Sequence, residues 1–249
     1  MREHEEALVG HVTDGVVRIG DTVRRPAGPW TDAVDALLTH LRDVGFNGAP
    51  RPLGRDEQGR QVLEFVHGEL CDHAGTFAPP ELAAIGRLLR KFHEAVASFV
   101  PPASAVWNTV IPPDAEEVVC HNDPAPWNLI RSDRGWVLID WDAAAPGSRL
   151  WDLAYAAQSM AGLNATRTPP ESAERLRAFV NGYRADDAQR VELSAVLGRR
   201  ARAMHTLLRT GAEENRQPWA RIWVTDGAYW GDTADYLDAN SAVWAAALR

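Results

Sequence analysis

Lysine is almost missing from this chain. Of 26 basic residues, 25 are Arg and only Lys91 is Lys. Any cation the molecule needs at a buried or ligand-facing position must therefore be a guanidinium, planar and permanently charged, rather than an ammonium. Basic residues are also outnumbered, 26 against 34 acidic ones, for a formal net charge of −8. That balance argues against a nucleic-acid partner held through its phosphates and is compatible with a cationic ligand. Cysteine is scarce too: Cys71 and Cys120 are too few for a disulfide framework. With no signal-peptide pattern at Met1-Arg2-Glu3-His4, a reducing, cytoplasmic setting is expected. No apolar run approaches the ~18 residues of a membrane span, so no membrane partner is expected.

What is present is ordinary for a globular protein: 249 residues, 45% hydrophobic and 24% charged, enough for one large domain or two packed lobes. The first part reads as strand, strand, helix, strand, strand. Residues 15–25 form two β-rich runs joined by Gly20-Asp21, a hairpin signal. Asp32 to Val44 carries Val34, Leu37, Leu38 and Leu41 at helical spacing, with Thr31 as its N-cap and Gly45 at its end. Pro50 to Leu53 and Gln61 to Val66 are strands around a polar turn at Asp56-Glu57-Gln58-Gly59. After Gly68 the texture changes. Pro80 to Phe99 reads as a long amphipathic helix, Val118 to Cys120 and Trp136 to Ile139 as short strands, and the chain from Leu150 onward as almost wholly helical. Thr166 to Glu171 reads as a loop between helices.

Both short strands in the middle run into polar loops. One is His121-Asn122-Asp123-Pro124-Ala125-Pro126-Trp127-Asn128; the other is Asp140-Trp141-Asp142, starting twelve residues after Asn128. The spacing H-x-D-x-x-x-x-N, followed by a hydrophobic strand ending in Asp, suits phosphoryl transfer. One Asp accepts a hydroxyl proton, while an Asn and a second Asp hold Mg2+ against nucleotide phosphates. Mg2+ demands hard oxygen ligands, which carboxylates and amides supply.

With Pro146-Gly147 and Trp151-Asp152-Leu153-Ala154 added, these motifs resemble the aminoglycoside phosphotransferase and choline kinase-like family. The resemblance implies an α+β, protein-kinase-like bilobal fold: a small antiparallel β-sheet lobe with one helix, residues 1–66, and a larger, mainly helical lobe, residues 67–249. It implies Asp123 as catalytic base, Asn128 and Asp140 as Mg2+ ligands, and His121 as the residue shaping the catalytic loop. Asp142 would orient the loop or assist the metal, and Asp152 would cap or brace the following helix. ATP, or GTP, would be the phosphoryl donor and a small-molecule hydroxyl compound the acceptor. Adenine would be read by backbone groups of the linker, the carbonyl of Glu64 and the N–H of Val66.

Such a lobe also needs a cation for the α- and β-phosphates, usually a Lys on the third strand, and here none exists. Arg24 and Arg25 are the candidates. Strand alternation puts Arg25 on the same face as Val23, toward the cleft, and turns Arg24 outward. Asp32 and Asp35 are the acids on the helix available to pair with it. The glycine-rich loop is sparse, with Gly10 and Gly15 only.

The acceptor region is the least legible. Trp219, Trp223, Trp230 and Trp244 lie in the last 31 residues, interleaved with acids from Glu213 to Asp238. Aromatic faces beside carboxylates suit an ammonium group, which points to an aminoglycoside-like or other amine-bearing acceptor. Choline, homoserine, a sugar or a macrolide are the variants, the last requiring a large apolar pocket. Pro146-Gly147 follows Asp140 too closely to leave room for a protein kinase's activation segment. The missing Lys also motivates a rival from another class, a non-catalytic nucleotide-binding protein.

Overall fold

The computed structural model describes residues 5–8, 15–72 and 77–249. Most of the sparse glycine loop, Gly10 included, lies outside these residues. The N-terminal part is a five-stranded antiparallel sheet in the order β1-β2-β3-β5-β4, built from β1 (Glu6–Ala7), β2 (Val17–Ile19), β3 (Thr22–Arg25), β4 (Pro52–Arg55) and β5 (Gln61–Glu64). Gly20 makes the β2–β3 turn at φ +57°, where a side chain would be strained. Helix α1 (Thr31–Asp43) packs Val34, Leu37, Leu38 and Leu41 inward. Its N-cap is Trp30 rather than Thr31: the Thr31 hydroxyl instead accepts from the Gly28 N–H at 2.8 Å, closing the turn before the helix.

The rest is mainly helical. Helices α2 (Pro79–Ala95), α3 (Arg149–Ala161), α4 (Pro169–Tyr183), α5 (Asp187–Glu213), α6 (Trp219–Ala239) and α7 (Ser241–Ala247) surround two small sheets. One pairs β7 (Val118–Cys120) with β10 (Ala145–Gly147); the other has β6 (Glu69–Leu70), β8 (Leu129–Ser132) and β9 (Gly135–Leu138). Helix α2 ends four residues earlier than expected, because Val96–Ser98 tightens into a 3-10 turn. Helix α4 begins inside the expected loop: Pro169 and Pro170 fill its first turn, where missing N–H groups cost nothing, and the Thr168 N–H and hydroxyl donate to Glu171 at 3.0 and 2.8 Å. Among the described residues, no helix is long and apolar enough to cross a membrane.

Helices α2 and α4 cross in very close contact. A Cβ on Gly86 would lie 2.2 Å from the Phe179 carbonyl oxygen, and one on Gly182 would lie 2.1 Å from that of Ala83. Only glycine fits at either position. The crossing places His93, near the end of α2, beside α3 and α4: its Nδ1 lies 2.8 Å from the Tyr183 hydroxyl and its Nε2 3.0 Å from Asp152 Oδ2.

Candidate active site

Strands β7 and β9 deliver the two carboxylate loops side by side. Alternation along Asp140-Trp141-Asp142 sends Trp141 into the core, where it is 1% exposed between Phe92 and His121 and donates Nε1–H to the Leu138 carbonyl at 3.0 Å. That anchor leaves both Asp side chains facing the cleft. Asp140 sits at φ +57°, a left-handed conformation that Asp tolerates better than most residues.

Asp123 is half-buried and held at both oxygens: Tyr155 donates its hydroxyl to Oδ1 and Asn128 donates Nδ2 to Oδ2, each at 2.8 Å. Burial pushes its carboxyl up to about 6, with a further upward push from the charge of Asp140, against the Tyr155 hydrogen bond. A carboxylate titrating there is poised as a general base near neutral pH. His121 does not face the cavity. It lies fully buried behind the loop, its Nε2 3.1 Å from the Ile139 carbonyl and its Nδ1 accepting the Asp123 N–H at 3.3 Å. Burial lowers its pKa, which keeps the ring neutral for this donor–acceptor pair of contacts.

Asp152 is placed differently from the expected helix brace. Helix α3 is capped by Ser148, whose hydroxyl accepts from Trp151 N–H at 3.0 Å. Asp152 instead accepts from the N–H groups of Asn122 at 2.8 Å and His121 at 3.3 Å, so it braces the catalytic loop. Burial pushes its carboxyl up, but His93 and the Asn122 N–H outweigh burial and hold it low. Asn122, at φ +65°, also donates Nδ2 to the carbonyls of Ala143 and Ala145, at 3.1 and 3.3 Å, which ties the two loops together.

Of the two candidate cations, Arg25 reaches the cleft. Its Nη2 donates to Asp140 Oδ1 at 3.0 Å and also to Asp142 Oδ2. Burial works against its charge, yet the two carboxylates outweigh that and strengthen its hold on its proton. Arg24 points to Asp56, 3.7 Å away, outside the cleft. Neither Asp32 nor Asp35 meets Arg25; both are engaged by Arg55, from β4. The side chain of Asp142 is 19% exposed and that of Asp140 39%, so Asp140 is the more accessible oxygen donor. In the linker, the Glu64 carboxylate accepts from Arg134 at 2.8 Å and from the Arg51 N–H at 3.1 Å, while Val66 is buried.

Asp123, Asp140 and Asp142 border a cavity of about 780 Å³. Trp127, Trp219, Tyr229, Trp230, Ile222 and Met204 make much of its wall, with Asp226 at its edge. Trp219 and Trp223, four residues apart, do not both face it: Trp223 packs on His205 with ring centroids 5.4 Å apart. Trp244 belongs to the core and bonds the Leu237 carbonyl at 2.9 Å. Most distal acids are surface ion-pair partners, Asp235 and Asp238 of Arg202 and Glu213 of Arg209.

Two cavity residues escape a motif reading. Tyr155 lies three after Asp152, hence on the same face of α3. Arg200 occupies a core position in the apolar stripe of α5, Leu193-Val196-Leu197-Ala201-Leu208, and an Arg in such a stripe is the signal that marks it.

A small sheet set over a helical lobe, with H-x-D and D-x-D loops meeting a strand cation at the cleft, is the arrangement of a kinase-like phosphotransferase. The chain belongs to the phosphotransferase enzyme family, whose model matches residues 102–194. It is 32% identical over 250 residues to the trifolitoxin immunity protein of Rhizobium leguminosarum bv. trifolii, covering 91% of this chain and 94% of that one. Its fold is shared with an amicoumacin kinase solved with AMP-PNP, Ca2+ and Ami, at 13% identity and TM-score 0.71, covering 94% of this chain and 89% of that one. It is shared also with a choline/ethanolamine kinase family protein from Mesorhizobium loti, at 18% identity and TM-score 0.63, covering 100% and 93%.

Proposed function

We propose that the protein transfers the γ-phosphoryl group of ATP, or GTP, to a hydroxyl of a small molecule bound in the cavity beside Asp123. The observation carrying this reading is the Asp123 carboxylate, fixed at both oxygens and bordering that cavity, next to the Asn128 and Asp140 oxygens. Residues 1–66 would bind the nucleotide, and residues 67–249 would supply the catalytic loop and the acceptor site. Asp123 accepts the acceptor hydroxyl's proton; the acceptor oxygen forms its bond to the γ-phosphorus as the bond to the bridging oxygen breaks, and that electron pair leaves with the nucleoside diphosphate. Arg25 steadies the phosphates, and Asp142 aims Arg25 in the place that an acid on α1 does not take. Asn128 and Asp140, hard oxygen donors with Asp140 the more exposed, fit Mg2+, which when bound neutralises phosphate charge. Most of the acceleration is positioning and charge stabilisation.

An amine-bearing acceptor is supported by Asp226, which lines the same cavity as Trp219, Tyr229 and Trp230. A second reading, favoured by the kinship with an immunity protein, makes the acceptor a toxic metabolite that phosphorylation disarms. The test is Mg2+-dependent ATP turnover over a panel of hydroxylated acceptors, with Asp123→Ala alongside. Wild-type turnover falling by roughly 10²–10⁴-fold in the variant is expected; undiminished turnover in the variant overturns the choice of base, and no turnover or nucleotide binding by wild type overturns the enzyme. Protection of a sensitive host by the wild-type gene, and not by Asp123→Ala, supports the second reading.

A further inference from the structure

Arg200 is an anomalous charge among the described residues. It is 3% exposed, it has no carboxylate within ion-pair distance among the described residues, and its Nε and Nη1 have no hydrogen-bond partner. An unpaired buried charge is costly even after relaxation, so its surroundings must compensate it. They do so through the catalytic loop. Nη2 donates to the Asn122 carbonyl at 3.0 Å, and the guanidinium carbon stands 4.3 Å from the centroid of the Tyr155 ring and 5.4 Å from that of Trp151. Tyr155 in turn gives its hydroxyl to Asp123 Oδ1. Trp230 stacks on the same tyrosine, ring planes 10° apart and centroids 5.8 Å.

We propose that Tyr155 and Arg200 form a positioning pair for Asp123, fixing the carboxylate so that one free lone pair on it meets the acceptor hydroxyl. The inference rests on the phosphotransfer reading of Asp123. A carboxylate oxygen has two acceptor sites. Asn128 takes one on Oδ2 and Tyr155 one on Oδ1, and the Trp127 side chain adds a third hydrogen bond; together they remove the freedom of the side chain to rotate while leaving an acceptor site for the incoming O–H. Arg200 supports the pair twice. It holds the ring of Tyr155 by a cation–π contact, which is strong where water is excluded, and it pins the carbonyl of Asn122, the left-handed residue immediately before the base. Helix α3 supplies Asp152 and Tyr155 from one face and α5 supplies Arg200, so two helices close on the loop.

A competing role for Tyr155 is a plain wall of the cavity, and the two roles separate cleanly. Tyr155→Phe keeps the ring, its stack on Trp230 and its contact with Arg200, and deletes only the hydroxyl. As a positioning residue, its loss lowers kcat by roughly 10–100-fold while acceptor and nucleotide KM stay within about twofold. Arg200→Met gives the same split; if it does not fold, Tyr155→Phe carries the test. Unchanged kcat, or a rise in acceptor KM alone, overturns the proposal. A crystal structure of Tyr155→Phe gives a readout independent of turnover: the Asp123 carboxylate is expected to leave its Asn128-bound orientation or to split between two. An Asp123 held unchanged in that structure overturns the positioning role. Absence of turnover by wild type overturns the phosphotransfer reading instead and leaves the crystallographic result to decide this one.

Discussion

The two carboxylate loops lie side by side and are held in opposite ways. The Asp123 loop is gripped within its own lobe: Asp152 takes two backbone N–H groups, His121 bonds Ile139 behind it, and Asn128, Tyr155 and Arg200 fix the base and its neighbour. The Asp140–Asp142 loop shares the backbone ties through Asn122, but both its carboxylates are held by Arg25, which arrives from the other lobe. A base must be placed to a fraction of an ångström before the acceptor arrives, so rigidity there is useful. On the proposed function, Asp140 and Asp142 would have to accept a new, highly charged ligand, and a partner on a separate lobe can be exchanged for it.

Removing the more accessible acid should break the second loop's function outright. Asp140→Asn is expected to lower turnover by about 10²-fold or more and to weaken Mn2+ binding measured by electron paramagnetic resonance. Asp142→Asn should instead leave Mn2+ affinity unchanged and raise nucleotide KM by about tenfold, a loss of about 1.4 kcal/mol. Equal loss of Mn2+ affinity in both variants would make Asp142 a ligand after all.

The rigid loop has a pH signature. As the proposed base Asp123 would work only as carboxylate, so with its carboxyl at about 6 the rate should fall roughly tenfold per pH unit below that value. Stability runs the other way. A carboxyl raised in the fold from an ordinary 3.8 binds its proton more tightly folded than unfolded. The stability this contributes is complete below the unfolded value and is lost as pH rises through about 6, by up to about 3 kcal/mol. Asp123→Asn, which carries no such charge, should therefore gain on wild type in metal-free thermal melts as pH rises from about 4 to about 8. A gap that does not change with pH contradicts this. The smallest effect is expected outside both loops: Arg24→Ala should leave nucleotide KM within about twofold, its nearest acid pair being peripheral, whereas a loss matching that of Arg25→Ala would reverse the assignment of strand faces.

The order of elements and the two loops were legible because their signals are local: alternation in β3 and around Trp141, and helical spacing in α1. Strands β8 and β10 were not; β10 contains Pro146 and, among the described residues, pairs with β7 alone. Thr31 misled because a Thr before an apolar stripe satisfies the N-cap rule, while its hydroxyl was claimed by Gly28. The partner of Arg25 was illegible for a different reason. Sequence places Asp32 and Asp35 near the cation along the chain, but Arg55, which lies twenty residues beyond Asp35, competes for both. Arg200 was one among 25 arginines until the apolar stripe around it was considered.

The glycine-to-backbone crossing of α2 and α4 gives the catalytic loop a gauge. His93 leaves α2 to touch Asp152, and Asp152 carries the Asn122 and His121 amides, so the separation of two helices remote from the cleft is transmitted to the height of Asp123. A methyl group at Gly86 or Gly182 would wedge that crossing open. Its damage would then be felt as misaligned chemistry as well as lost stability, in a protein whose cavity wall and nucleotide cleft are untouched.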